Sequence, residues 1–432
     1  MTGLKNSIAI ISFATILTIA LSGCNEAATA VGALNDAKTA AQDELDVSNP
    51  VDLMEYMRAH ALKNNRQEEE EVLEEMIADG IILISNAGYD ASSQKKALLI
   101  LDGDSELTKK SELEFTITKD GKEVFSHKAA VECEGSTYYA VLDFTKCENP
   151  LTGSLTVKDD PTVNADILIK RGLYNELFDE KLSSLIHSEK DYTGRDLSEQ
   201  IEIVIELELI CEYADNDIYR DEICGALKSY LDALSNESKE NSGLKEDEKC
   251  AIAAMLSKGC LLFEEDGKKY LDRAKEIAKD IKGSSSAWNY CMAASLFRAT
   301  GDNSYRLECE KMADKKEYRG LSYDLPGYIG DLSYVSSKKP DYSAAQEMIY
   351  SFIEDTNAYI SDDVFTRVLR NETLDSSSLR MLPVVNEITE STQYIKFMQN
   401  AVSVMCGCNP DNEDLMDESE YGMLFVLSYL IR

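Results

Sequence analysis

From Arg171 to the C-terminus, apolar residues recur at three- and four-residue spacing with few interruptions. The roughly ninety residues before it behave differently and show short runs with two-residue alternation. This change of period constrains the fold more than any other feature. A period of two buries one face of a strand, and a period of 3.6 buries one stripe of a helix. Residues 81–84, 97–101, 113–118, 123–127, 138–144, 154–157 and 167–169 read as strands. Turn signals such as Leu101-Asp102-Gly103-Asp104 and Lys119-Asp120-Gly121-Lys122 separate them. Short strands at that spacing suggest a β-sandwich. Helices are expected over 174–186, 197–213, 219–234, 246–263, 268–281, 286–300, 305–315, 342–360, 362–370, 390–405 and 419–431. Lys258 is the single charged member of the face formed by Ala251, Ala254, Met255 and Leu262. The Tyr-, Gly- and Asp-rich stretch 321–340 is expected to be irregular. No motif returns at a fixed period, which fits poorly with a tetratricopeptide-type array.

The chain carries 79 acidic against 44 basic residues, a formal charge of −35. Such a field repels phosphate backbones and anionic lipid, so nucleic acid is excluded as a partner. The three histidines, His60, His127 and His187, have no supporting motif for a metal centre or a catalytic triad. There is no Gly-rich phosphate loop, and no cofactor or metal is expected. Cys133 and Cys147 flank the strand at 138–144 and could bridge across a sheet. Cys211, Cys250, Cys260 and Cys291 fall on apolar helix faces, where a thiol serves as a small core residue. Cys406-Gly407-Cys408 lacks the second pair that a metal knuckle needs. With one Trp in the chain, stacking on sugar rings would fall to tyrosines, with Tyr192, Tyr323, Tyr328 and Tyr334 as candidates. The same tyrosines also suit ordinary packing.

The N-terminus reads as an address. Lys5 precedes an apolar run over 8–21, too short for a spanning helix. The run ends in Leu21-Ser22-Gly23-Cys24, which resembles a bacterial lipobox, so Cys24 is the expected lipidated first residue of an exported, membrane-anchored lipoprotein. The expected organisation is a signal peptide over 1–23, a tether over 24–50 and a charged helix over 51–78. A β-sandwich over 79–170 and a helical domain over 171–432 follow.

Several stretches resemble glycoside hydrolase family 9, the inverting endoglucanases. Ile82-Leu83-Ile84-Ser85-Asn86-Ala87-Gly88-Tyr89, followed by Lys96, is similar to the opening strand of that family's immunoglobulin-like domain. Residues 118–124 and Val141-Leu142-Asp143-Phe144 resemble its later strands, and 167–177 resembles its junction into the first barrel helix. Residues 293–302 with Tyr305 resemble a helix and its exit turn, and Met405-Cys406-Gly407-Cys408-Asn409-Pro410 resembles a late Leu-Gly-x-Asn-Pro segment. The resemblance implies an immunoglobulin-like β-sandwich followed by an (α/α)6 barrel that acts on β-glucan or a related polysaccharide. An inverting glycosidase needs an acid and a base whose carboxyls lie roughly 6.5–9.5 Å apart.

The family's base lies in an Asp-Ala-Gly-Asp loop before a helix. Here the matching place is Tyr192-Thr193-Gly194-Arg195-Asp196, so Asp196 takes the base position, Thr193 replaces the first Asp and Arg195 replaces Gly. The family's acid opens the last helix, and Glu420 in Ser419-Glu420 takes that place. Each residue also has a plain structural role, Asp196 as an N-cap and Glu420 as a first-turn acid favoured by the helix dipole. Nine residues separate Pro410 from Glu420, so the family's long substrate-gripping loop is missing. These departures imply reduced or lost hydrolysis, or a non-catalytic protein-interaction lipoprotein on the same scaffold.

Overall fold

A computed structural model describes residues 79–186, 195–214, 218–281, 286–313, 325–372, 374, 376–416 and 423–431. Cys24 and the charged stretch 51–78 lie outside these residues. The first part of the described chain folds as nine strands: β1 (Gly80–Leu83), β2 (Tyr89–Asp90), β3 (Lys96–Leu101), β4 (Glu112–Lys119), β5 (Lys122–Ala130), β6 (Glu132–Glu134), β7 (Thr137–Asp143), β8 (Leu151–Val157) and β9 (Asp160–Lys170). They form a four-stranded sheet in the order β1-β3-β7-β6 and a five-stranded sheet in the order β2-β9-β8-β4-β5. Every pairing is antiparallel except β2 with β9. Alternation explains the burial: Leu113, Phe115 and Ile117 of β4 point inward and are fully buried, as are Leu98, Leu142 and Leu155. Asp120 and Gly121 both have positive φ, which makes the link between β4 and β5 the tight hairpin that the Asp-Gly pair predicts. Cys133 is exposed, Cys147 is buried, and both are free thiols, so the bridge considered for them is not formed.

The helical part contains α1 (Leu173–Ile186), α2 (Leu197–Tyr213), α3 (Arg220–Glu240), α4 (Glu246–Leu262), α5 (Gly267–Asp280), α6 (Ala287–Thr300), α7 (Asn303–Ala313), α8 (Leu325–Val335), α9 (Tyr342–Tyr359), α10 (Val364–Leu369), α11 (Ser376–Leu379), α12 (Met381–Thr389), α13 (Thr392–Met405) and α14 (Met423–Leu430). Two kinds of helix alternate. In α1, α3, α5 and α9, burial follows one stripe; Ala345, Met348, Phe352 and Thr356 in α9 are an example. In α2, α4, α6, α8, α12 and α14, long consecutive runs are buried on every side, from Cys250 to Gly259 in α4 and from Met423 to Tyr429 in α14. The second group packs sequentially, α2 on α4, α4 on α6, α6 on α8, and α14 on both α12 and α2. An inner layer wrapped by an outer one follows from that alternation. No helix among the described residues is long and apolar enough to cross a membrane.

One expectation fails here. The stretch 321–340 is not irregular throughout, because α8 occupies Leu325–Val335. Pro326 sits in its first turn, where the missing N–H is harmless. Gly330 lowers helix propensity by about 1 kcal/mol relative to Ala. Packing requires it, however: a Cβ at Gly330 would lie 2.6 Å from the Tyr290 ring and 3.2 Å from the Cys291 Cα on α6. Helix α12 is likewise absent from the expected set, and Pro383 lies in its first turn.

Candidate functional site

Asp196 stands directly before α2. Its Oδ1 accepts from the Glu199 N–H at 2.8 Å, and the Glu199 Oε2 accepts from the Asp196 N–H at 3.3 Å. This is a reciprocal capping box, and it satisfies two backbone donors that the helix itself cannot. Arg195 Nη2 donates to the Leu185 carbonyl at 3.4 Å, while Gln200 Nε2 donates to the Arg195 carbonyl at 3.0 Å. Asp196 is exposed, so a ligand can approach its carboxylate. Tyr192, Thr193, Tyr323 and Glu420 lie outside the described residues.

Tyr328 and Tyr334 are corrected by the structure. Tyr328 is 3% exposed, donates to the Arg380 carbonyl at 3.2 Å and meets the Phe352 ring edge-on at 5.5 Å. Tyr334 is fully buried; it donates to Glu310 at 2.7 Å and accepts from the Asp341 N–H at 3.0 Å. A sugar platform needs an open ring face, and neither tyrosine has one. Their spacing is that of buried positions on an inner helix.

Periodicity alone did not reveal two buried ionic hubs. In the first, Arg380 and Glu206 are each 1% exposed, with Nε and Oε2 2.8 Å apart. Arg380 Nη1 also lies 2.9 Å from Glu202 Oε2. The other oxygen of Glu206 accepts from the Phe425 N–H at 2.6 Å, at the start of α14. Burial pushes the Glu206 carboxyl up to about 7, although Arg380 pulls it down. This hub ties α2, α12 and α14 together, and Tyr328 adds α8 through the Arg380 carbonyl. Glu206 is ten residues beyond Asp196, roughly 15 Å along the helix axis. The first turn of α14 is therefore fixed beside the middle of α2.

In the second hub, Lys258 Nζ lies 3.4 Å from Glu208 and 3.8 Å from Glu212, and Arg298 pairs with Glu212 at 2.5 Å. Burial raises Glu208 to about 8, again against the pull of Lys258. This explains the lone lysine on an apolar face. The sequence signal for both hubs was carboxylates inside the apolar run of α2, at Glu202, Glu206, Glu208 and Glu212. Glu206, Glu208, Lys258 and Arg380 are too deeply buried to touch a polymer, and they position helices.

The segments that resemble family 9 motifs meet in space. The Asn86 N–H donates to the Cys406 carbonyl at 2.6 Å, and Cys408 Sγ donates to the Leu83 carbonyl at 3.1 Å. Gly407 has φ +107°, and a Cβ there would lie 2.2 Å from the Asn86 amide nitrogen. Asn409 closes the turn by donating to the Val404 and Glu413 carbonyls at 2.8 and 2.7 Å. Tyr89 is buried, accepts from the Ser85 N–H at 3.2 Å and donates to the Lys96 carbonyl at 3.0 Å. These motifs hold the sheet part to the helices. Two surface depressions, of about 290 and 190 Å³, are lined by Asn386, Glu387, Glu390, Thr392, Ile395 and Tyr429, and by Glu246, Lys249, Asp280 and Ile281. Asp196 lines neither.

No protein-family profile matches the sequence. No curated protein matches it in sequence either. Solved structures do match in fold. A thermostable endoglucanase from Alicyclobacillus acidocaldarius superposes with a TM-score of 0.60 at 14% identity, covering 77% of this chain and 83% of that one. A metagenome-derived glycoside hydrolase family 9 endoglucanase gives 0.61 at 14%, covering 77% and 84%. A family 9 protein of Bacteroides ovatus gives 0.61 at 12%, covering 81% and 98%. The chain therefore has the fold of the family 9 glycoside hydrolases, carried by a strongly divergent sequence.

Proposed function

We propose that this chain is an exported lipoprotein, anchored through Cys24, that binds β-glucan-type polysaccharide on an endoglucanase scaffold with reduced or lost hydrolysis. The observation that carries the reading is the fold match over 77% of the chain. On this reading the two-sheet part is the family's immunoglobulin-like domain, and the alternating helices are an (α/α)6 barrel. Inner helices of such a barrel run in one direction. The reading requires Asp196 and Glu420 to face each other across an open cleft, although the first turn of α14 lies beside the middle of α2. Any residual activity would be that of an inverting endo-β-1,4-glucanase, with Asp196 as base and Glu420 as acid. Loss of activity is favoured because Thr193 stands where a second carboxylate is needed and Asp196 is engaged in a capping box. Tyr192 and Tyr323 remain as stacking candidates.

The test measures reducing-sugar release from mixed-linkage β-glucan by the wild type and by Glu420→Gln, alongside affinity electrophoresis in soluble glucans. Retardation with background release in both proteins is the expected result. Release by the wild type that Glu420→Gln abolishes would show a working hydrolase. Absence of retardation would refute glycan binding and leave the alternative, a protein-interaction lipoprotein, which the burial of Tyr328 and Tyr334 favours. Incorporation of a labelled fatty acid that Cys24→Ser abolishes tests the anchor.

A further inference from the structure

The depression of about 290 Å³ lies where α12 ends and α13 begins, beside the last turn of α14. Asn386, Glu387 and Glu390 from the end of α12, Thr392 and Ile395 from α13 and Tyr429 from α14 line it. Hydrogen bonds set the Asn386 amide in one orientation. The Tyr429 hydroxyl donates to Glu387 Oε1 at 2.6 Å, because a carboxylate only accepts. That hydroxyl therefore accepts from Asn386 Nδ2 at 2.8 Å, and Oδ1 occupies the other side of the amide. Asn386 is 7% exposed, and its Oδ1 has no hydrogen-bond partner. A buried carbonyl oxygen without a donor is unfavourable, so this one calls for a donor from outside the chain. Glu387 and Glu390 are exposed beside it. Both stand at the C-terminal end of α12, where the helix dipole disfavours an acid, and α12 has no basic residue in its last turn. Glu390 also holds φ at +51°, a conformation that favours glycine or asparagine. Local physics opposes an acid at both positions, and a bound cation removes the electrostatic part of that opposition.

We propose that this depression binds a small organic cation through its primary ammonium group, as carried by an amino sugar or an aliphatic polyamine. An ammonium group has three N–H donors and no acceptor. Asn386 Oδ1 and the carboxylates of Glu387 and Glu390 supply acceptors, and no lysine or arginine among the described residues lines the depression. Ile395 gives the ligand's carbon skeleton an apolar wall. A bare metal ion fits less well, because the described residues contain no group of three His, Cys, Asp or Glu side chains that could hold one. The formal charge of −35 draws cations toward the surface in general, and the buried amide is what distinguishes this place from the rest of it. Nothing in this site depends on the glycan reading.

Isothermal titration calorimetry on the full chain, at fixed ionic strength, tests the site with glucosamine, putrescine, glucose and calcium chloride. The expected result is saturable binding of an ammonium compound, with glucose silent. Binding of glucosamine alone assigns an amino sugar, and binding of putrescine alone assigns an aliphatic polyamine. Glu390→Gln should weaken that binding about tenfold through loss of one charge-assisted contact. The same variant should melt no lower than the wild type without ligand, since it removes an acid from a helix C-terminus. Glu354→Gln takes the same charge from an exposed position on α9 and should bind as the wild type does. Silence of both ammonium compounds would overturn the proposal, as would calcium binding in their place. Undiminished binding by Glu390→Gln, or an equal loss in Glu354→Gln, would also overturn it, because the attraction would then be that of the whole surface.

Discussion

Replacing Arg380 by methionine probes the hub that joins α2, α12 and α14. In the native protein, Glu206 is raised from 4.5 to about 7 by burial. At about 1.36 kcal/mol per unit, that shift is a stability contribution of about 3 kcal/mol, and with the group 1% exposed no solvent discount applies. The folded value lies above the ordinary one, so the contribution is fully present below pH 4.5. It is lost as pH climbs through about 7. The methionine side chain would fill similar space but remove the charge that holds the Glu206 carboxylate. Near pH 5 Glu206 carries a proton in either protein, so the substitution should cost about 1–2 kcal/mol in hydrogen bonds. Near pH 8 it should cost about 3–5 kcal/mol, because an ionised carboxylate is left buried beside Glu202 without its partner. Trp288, the sole tryptophan, packs against the core from α6 and reports unfolding by fluorescence in urea titrations. Equal destabilisation of Arg380→Met at both pH values would refute the assignment of the hub as a titrating ion pair.

Four further outcomes follow from the packing and the caps. Gly330→Ala should lower stability by about 1–3 kcal/mol in the same urea titration, despite the better helix propensity of Ala, because its Cβ meets the Tyr290 ring at 2.6 Å. Gly407→Ala should destabilise by about 1–3 kcal/mol through its positive φ and the Asn86 contact, read as a drop in melting temperature. Tyr328→Phe should cost about 1 kcal/mol from the lost bond to the Arg380 carbonyl and leave retardation in glucan gels unchanged, since the ring is buried. Asp196→Ala should cost about 1 kcal/mol, whereas Asp196→Asn keeps the cap and the stability. Any glucan hydrolysis that Asp196→Asn abolishes without a stability change would assign the base.

The N-cap at Asp196 and the hairpin at Asp120-Gly121 were legible in the sequence because both are set within a few residues. Ser286 and Asp363 are N-caps for the same reason, with Ser286 accepting from the Asn289 N–H at 3.2 Å and Asp363 from the Phe365 N–H at 3.0 Å. Tyr328 and Tyr334 misled because an aromatic, glycine-rich stretch has the composition of a loop, and only the neighbouring helix α6 shows that its glycine is a packing requirement. Glu206 and Arg380 are 174 residues apart in sequence, a separation at which no local pattern links two charges.

The sequence by itself determined where strands give way to helices, which faces are apolar and how α2, α6, α9 and α10 are capped, because propensity, alternation and capping act over a few residues. Tertiary structure alone decided which helices are enclosed on every side and that Asn86 docks on Gly407. It also decided that carboxylates in α2 find Lys258, Arg298 and Arg380. Those outcomes depend on which surfaces exclude water together, and burial is what makes a buried charge demand a partner.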